Sequence, residues 1–362
     1  MSHDKVEARI DKWVRPEIRA LSAYHVPDPG KMIKLDAMEN PYHWPEEMVN
    51  EWFDVLKDVE LNRYPDPSAK QLTEQLRVAM DVPDGADIIL GNGSDELIQM
   101  IAMTLSGKDR VVLSVEPGFV MYRMIATFAD MEYFGVPLNE DFSLNETAIL
   151  NDIELYNPAV VFIAYPNNPT GNLFDADSIK RIIEAAPGVV IVDEAYHAFA
   201  DSSFMPLVND YDNLLVMRTV SKMGLAGLRL GLLAGNPKWC HEFNKVRLPY
   251  NINILTQASV EFAMKHVDVL EQQTRQICED REALFNELQQ IDGLHVFPSK
   301  ANFILLRVAE GMADTIFNKL KDQGVLIKNL NPAGGLLKDC LRITVGTPEE
   351  NARFLAVFKN VL

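Results

Sequence analysis

Residues 216–231 concentrate groups that can do chemistry. An apolar run at 214–217 delivers Thr219, Ser221 and Lys222 within four positions, and a glycine-rich turn then returns Arg229. Two hydroxyls and a guanidinium at this spacing can hold a phosphate and set one amine beside it. A lysine is a nucleophile only when its amine is neutral, and a covalent imine to an aldehyde both uses that amine and creates an electron sink. Further stretches carry matching chemistry. Residues 91–96, Gly-Asn-Gly-Ser-Asp-Glu, read as a glycine turn opening a helix, which exposes unpaired amides and the positive end of the helix dipole to a phosphate. This is not a dinucleotide fingerprint, because Glu96 stands where the third glycine belongs, and the stretch has no P-loop lysine. Asn168, clamped between Asn167 and Pro169, can donate from a rigid loop to a phenolate-like oxygen. Asp193 ends an apolar strand, so its carboxylate is costly to leave unpaired and is expected to face a cation. Tyr196, three positions on, can point into the same pocket. Pro65 and Pro67 fix an extended backbone that presents the ring of Tyr64 rather than packing it in a helix.

The elements that must position these groups alternate in the α/β manner. Apolar runs at 87–90, 110–115, 159–164, 189–192, 214–217 and 230–234 are separated by helical patterns such as 95–105 and 178–186. A doubly wound sheet follows, and in such sheets ligands sit beyond the carboxyl ends of the strands, where the residues above fall. Ahead of it, 14–30 reads as an extended arm ending in a Pro/Gly-rich connector, 33–41 as a short strand and turn, and 46–59 as an amphipathic helix. Past residue 251 a long helix over 255–289 leads to strands near 301–308 and 325–328, a strand holding Arg342, and a last helix. Thr347, Pro348 and Glu350 are spaced to open that helix with a capping box.

A chain of 362 residues suggests two domains that bury roughly three quarters of the unfolded surface. With 34 basic and 52 acidic residues the net charge is −18, which argues against nucleic acid or an anionic membrane surface as a partner. An anionic ligand must therefore meet a local basic cluster. Cys240, Cys278 and Cys340 are odd in number and have no metal spacing, so a reducing, cytoplasmic compartment is expected. His25, His43, His197 and His241 show no metal-ligand spacing. Residues 1–13 are too charged for a signal peptide, and no apolar run reaches membrane-spanning length.

Taken together, these stretches resemble the pyridoxal-phosphate enzymes of the aspartate-aminotransferase fold, fold type I, from residue 14 to the end of the chain. The resemblance implies a large domain with a mostly parallel seven-stranded sheet flanked by helices, plus a smaller α+β domain. It divides the chain into an N-terminal arm, 1–30, packing near the smaller domain, a large cofactor-binding domain, 31–250, and the smaller domain, 251–362. It implies that Lys222 holds pyridoxal phosphate covalently and, once released, moves a proton on the substrate carbon. Asp193 would pair with the ring nitrogen, and Asn168 and Tyr196 would bond the ring oxygen. Phe119 would stack on the ring, and Ser94, Asp95, Thr219, Ser221 and Arg229 would cup the phosphate. Tyr64 would reach that phosphate from the neighbouring subunit of a homodimer, and Arg342 would grip the substrate's anionic end.

Within that family the chain most resembles the histidinol-phosphate aminotransferases, on 14–16 with Tyr24, 35–41, 61–65, 91–96 and 341–346. The implied reaction moves the amino group of histidinol phosphate to 2-oxoglutarate, giving imidazole-acetol phosphate and glutamate in histidine biosynthesis. Two positions depart from the pattern. Arg229 follows Lys222 by seven positions, one fewer than is usual, and Lys328 stands where many relatives carry a second substrate-binding arginine, giving a point charge instead of a planar fork. Tyr24 is a further candidate for the substrate's phosphate. Rival readings are an aromatic amino-acid aminotransferase or a phosphothreonine-type decarboxylase on the same scaffold, and a non-catalytic ligand sensor. Sensors that borrow this fold carry a DNA-binding domain, for which a pattern beginning near residue 14 leaves no room.

Overall fold

The computed structural model describes residues 2–23 and 26–362. Among them, strands divide between two sheets. The larger runs, in spatial order, β2 (Asp87–Gly91), β8 (Gly231–Gly235), β7 (Leu214–Thr219), β6 (Val189–Asp193), β5 (Val160–Ala164), β3 (Val111–Glu116) and β4 (Glu132–Pro137). Strands β3 to β7 are parallel, and β8 runs antiparallel between β2 and β7. Every residue of β5 to β8 is buried. That is the fate of near-continuous Val/Ile/Leu runs in a sheet covered by helices on both faces. One face packs on Leu72, Leu76, Ile149, Ile153, Ile179 and Ile182, the other on Leu97, Ile98, Tyr122, Ile125 and Phe243. The six apolar runs became strands at their expected places. The seventh strand, β4, escaped that reading because it lies at the sheet edge, half-exposed, and contains Gly135 and Pro137.

The smaller sheet has the order β1 (Ile33–Leu35), β11 (Val325–Asn329), β12 (Cys340–Thr344), β10 (Phe303–Arg307) and β9 (His295–Val296). Its core gathers Leu35, Ile304, Leu306, Ile343, Phe354 and Phe358 beneath the helices Ala313–Asp322 and Pro348–Val361. The last helix begins with the expected capping box: Thr347 accepts from Glu350 N–H while the Glu350 side chain accepts from Thr347 N–H.

Strand β1, within the span 31–250 expected for the large domain, pairs in parallel with β11 of the smaller sheet, through Leu35 opposite Ile327. Two local expectations are corrected. The single helix expected over 255–289 is two helices, Ile254–Lys265 and Val267–Gln289, joined at His266 with φ −117° and ψ 34°. The break lets the first pack against the helices Glu46–Lys57 and Lys70–Ala79 while the second runs on to β9 and β10. The arm read as extended over 14–30 contains the single helical turn Pro16–Arg19, and a helix, Ser2–Trp13, precedes it. Proline suits that turn because the first N–H of a helix needs no intrahelical acceptor. Arg15 ties the arm to the end of the helix Val120–Phe128 through Asp130 (2.8 Å) and the carbonyl of Phe128 (2.7 Å).

Candidate active site

The carboxyl ends of β5, β6 and β7 open into one cavity lined by Met38, Ser94, Asp95, Phe119, Ala164, Asn168, Asp193, Ala195, Tyr196, Thr219, Ser221, Lys222 and Arg229. Ten of these are residues singled out above. At one end, β7 passes into a 3-10 turn, Ser221–Met223, that carries Lys222. Thr219 Oγ1 donates to Ser221 Oγ (2.8 Å) or the carbonyl of Leu230 (2.9 Å), and also accepts from Ser221 N–H (3.1 Å), which fixes the hydroxyl cluster. Facing it, the helix Ser94–Leu105 begins at Gly93, whose φ is +87°. A Cβ on Gly93 would stand 2.6 Å from Arg229 Nη2, so glycine here admits the guanidinium. Arg229 itself adopts φ +50° and lies 3.6 Å from Asp95. The seven-residue spacing from Lys222 thus still brings Arg229 to the helix N-terminus.

At the other end, Asp193 is buried, and burial raises its carboxyl to about 6, against the pull of a hydrogen bond from Tyr122. Its Oδ2 accepts from Tyr122 Oη (2.6 Å) and Oδ1 from Ala195 N–H (3.0 Å), both neutral donors. Asn168 Nδ2 donates to Tyr196 Oη (3.1 Å), and Asn168 Oδ1 accepts from Arg342 Nη1 (2.5 Å). Arg342, buried on β12, also donates to the carbonyl of Asp36 (3.1 Å) and lies over the ring of Phe303. Both sheets therefore build one site.

Lys222 Nζ sits between these ends, 3.4 Å from the carbonyl of Ala37 and 5.7 Å from the Tyr196 ring centre. Burial, reinforced by the charge of Arg342, lowers its amine to about 8. Roughly a tenth of a group with that value is neutral at pH 7, against far less for an ordinary lysine. Lys328 pairs with Arg342 across β11 and β12, half-buried, with its own affinity for a proton lowered by burial and by Arg342. Neither Lys328 nor Arg342 lines the cavity itself; Arg342 reaches it through Asn168. Tyr64 is 79% exposed and stacks on Tyr250 (4.4 Å), away from the cavity of its own chain. Tyr24 lies outside the described residues.

Several contributors were not evident from sequence. Tyr122 was one, although its place three residues after Phe119 on a helix, Val120–Phe128, is a signal that both rings face one way. Met38 and Ala37 reach the cavity on a strap held by Met38 N–H to Thr344 Oγ1 (2.9 Å) and Asn302 Nδ2 to the Met38 carbonyl (3.0 Å). Behind Asp193, buried Glu194 and Arg218 form an ion pair (2.8 Å), completed by Ser203 and the carbonyl of Met80.

The donor set suits pyridoxal phosphate. A helix N-terminus, two hydroxyls and a guanidinium meet a phosphate, a buried carboxylate meets a ring nitrogen, two polar groups meet a phenolic oxygen, and a buried amine of lowered basicity meets an aldehyde. The chain belongs to the class I and II aminotransferase family, whose model matches residues 30–358. Among its relatives, a histidinol-phosphate aminotransferase of Nitrosococcus oceani is 57% identical over 97% of this chain and 98% of that protein. One of Chromobacterium violaceum is 49% identical over 97% and 98%. The fold matches the crystal structure of a histidinol-phosphate aminotransferase from Sinorhizobium meliloti in complex with pyridoxal-5'-phosphate, with TM-score 0.84 at 22% identity over 97% of this chain and 98% of the other.

Proposed function

We propose that this aminotransferase moves the amino group of histidinol phosphate to 2-oxoglutarate, using pyridoxal phosphate, as a cytoplasmic homodimer. The observation that carries the reading is the amine of Lys222, depressed to about 8 by burial and held within one cavity with Asp193, Asn168, Tyr196 and the Thr219/Ser221/Arg229 cluster. When bound, the cofactor supplies an aldehyde that takes up the amino group and a conjugated ring that accepts electrons. Ser94, Asp95, Thr219, Ser221 and Arg229 would hold its phosphate, Asp193 its ring nitrogen, Asn168 and Tyr196 its ring oxygen, and Phe119 one ring face. Lys222 would anchor it and then take and return the proton at the substrate's amine-bearing carbon, a role its near-neutral basicity suits. Arg342 would receive the substrate's anionic end as a planar fork, with Lys328 adding a second positive charge beside it. Tyr64, exposed on a proline-fixed loop, would complete the phosphate cup of the neighbouring subunit, and Tyr24 is proposed for the substrate phosphate. The three cysteines, all free, suit a reducing compartment.

The test is a comparison of amino donors. Protein loaded with pyridoxal phosphate should convert 2-oxoglutarate to glutamate faster with histidinol phosphate than with phenylalanine, and should release no carbon dioxide from O-phosphothreonine. Preference for phenylalanine, or decarboxylation of O-phosphothreonine, would replace this substrate assignment.

A further inference from the structure

Asp193 faces a conflict. Burial drives its carboxyl toward the neutral acid, and the nearby carboxylates of Asp95 and Glu194 push the same way. The role proposed for it, pairing with a ring nitrogen, needs the ionised form. Two hydrogen bonds oppose the burial, the larger from the hydroxyl of Tyr122, which donates to Oδ2 at 2.6 Å, and the smaller from the backbone N–H of Ala195. That hydroxyl is well placed to stay a donor. Tyr122 is 1% exposed, and burial together with the charge of Asp193 raises its own ionisation well above the phenol range. Its ring has no freedom to turn away, stacked on Phe162 (4.7 Å, 10° between planes) and met edge-on by Phe119 (5.5 Å). The backbone N–H of Ala195 holds Oδ1 at 3.0 Å, so each carboxylate oxygen is tied once and the plane of the group is fixed. Tyr196, which feels the charge of Asp193, bonds Asn168 instead, and Lys222 lines the same cavity. One turn of helix thus presents both the aromatic ring that lines the cavity, Phe119, and the phenol that holds the acid behind it, Tyr122.

We propose that Tyr122 is a positioning residue that keeps the Asp193 carboxylate ionised and aimed into the cavity. The proposal rests on the reading of Asp193 as the partner of the cofactor's ring nitrogen, and the experiment separates the two. In protein without cofactor, labelled with carbon-13 at the aspartate carboxyls, the Asp193 resonance is assigned by its loss in Asp193→Asn. In Tyr122→Phe, which deletes one oxygen and leaves the ring stack in place, its titration midpoint should rise by about one pH unit, a tenfold stronger hold on the proton. In loaded protein, Tyr122→Phe should lower kcat about tenfold with KM for both substrates nearly unchanged, and should lower it no further when combined with Asp193→Asn. An unmoved Asp193 midpoint in Tyr122→Phe overturns the proposal, as does a kcat loss that adds in full to that of Asp193→Asn. Should Asp193→Asn itself retain wild-type turnover, the role of Asp193 falls, and the role of Tyr122 falls with it.

Discussion

At the scale of the residue, the site works by withholding water from groups whose charge must be adjustable. Lys222 is depressed to about 8 chiefly because it is buried, and secondarily because the positive charge of Arg342 acts on it. Its neutral fraction rises with pH up to that value. The rate at which cofactor-free protein captures pyridoxal phosphate should therefore increase about tenfold per pH unit below about 8 and level off above it. Stopped-flow absorbance across that range checks it, and a rise continuing unbroken to pH 10 would describe an ordinary exposed lysine. Arg342 and Lys328 would divide the substrate anion's charge differently. Arg342 can grip a phosphate or a carboxylate through two parallel hydrogen bonds, so Arg342→Ala should slow both half-reactions. Lys328 has charge without fork geometry and should matter more for a phosphate dianion. A charged hydrogen bond of about 1.5–3 kcal/mol makes the expected rise in KM for histidinol phosphate roughly ten- to a hundredfold in Lys328→Ala, with a smaller rise for glutamate. Single-turnover rates for each half-reaction decide this, and unchanged histidinol-phosphate kinetics would assign Lys328 to solvent.

At the scale of the element, much of the site was legible because it obeys the rule that ligands gather at the carboxyl ends of parallel strands. Asp193, Thr219 and Lys222 follow apolar runs that could form buried strands and little else. Residues reached through tertiary structure were less visible. The strap carrying Met38 has no periodicity of its own and is placed by Thr344 and Asn302, more than 260 residues away in sequence. The Glu194–Arg218 pair lies in β-strand surroundings that a reader of hydropathy takes as uniformly apolar. Helix 255–289 was overextended because no proline or glycine marks the joint at His266. The turn at Gly93 tests the element directly. Gly93→Ala would add strain at φ +87° and press a methyl onto Arg229. We expect a loss of about 1 kcal/mol or more in stability and weaker cofactor binding, with the substrate KM little changed. Thermal unfolding and cofactor titration measure the two effects, and an unaltered cofactor affinity would detach Arg229 from the phosphate cup.

At the scale of the whole molecule, the cavity joins a mostly parallel α/β sheet to a smaller sheet through Arg342, Asn168 and the 36–40 strap, so its walls come from distant parts of the chain. Tyr64, exposed and stacked on Tyr250, lies outside the cavity of its own subunit. If it acts across a dimer, mixing Lys222→Ala subunits with Tyr64→Phe subunits creates heterodimers with one intact site and one doubly damaged site. Activity should rise on subunit exchange, and a failure to rise would place Tyr64 in its own subunit or outside the reaction. The most direct test of the account is the point of cofactor attachment. Protein loaded with pyridoxal phosphate is reduced with borohydride, digested and mapped by mass spectrometry, beside Lys222→Ala treated in the same way. The account predicts a pyridoxyl adduct on Lys222 in the first, none in the second, and loss of nearly all turnover in the variant. An adduct on another lysine, or turnover retained without Lys222, would contradict it.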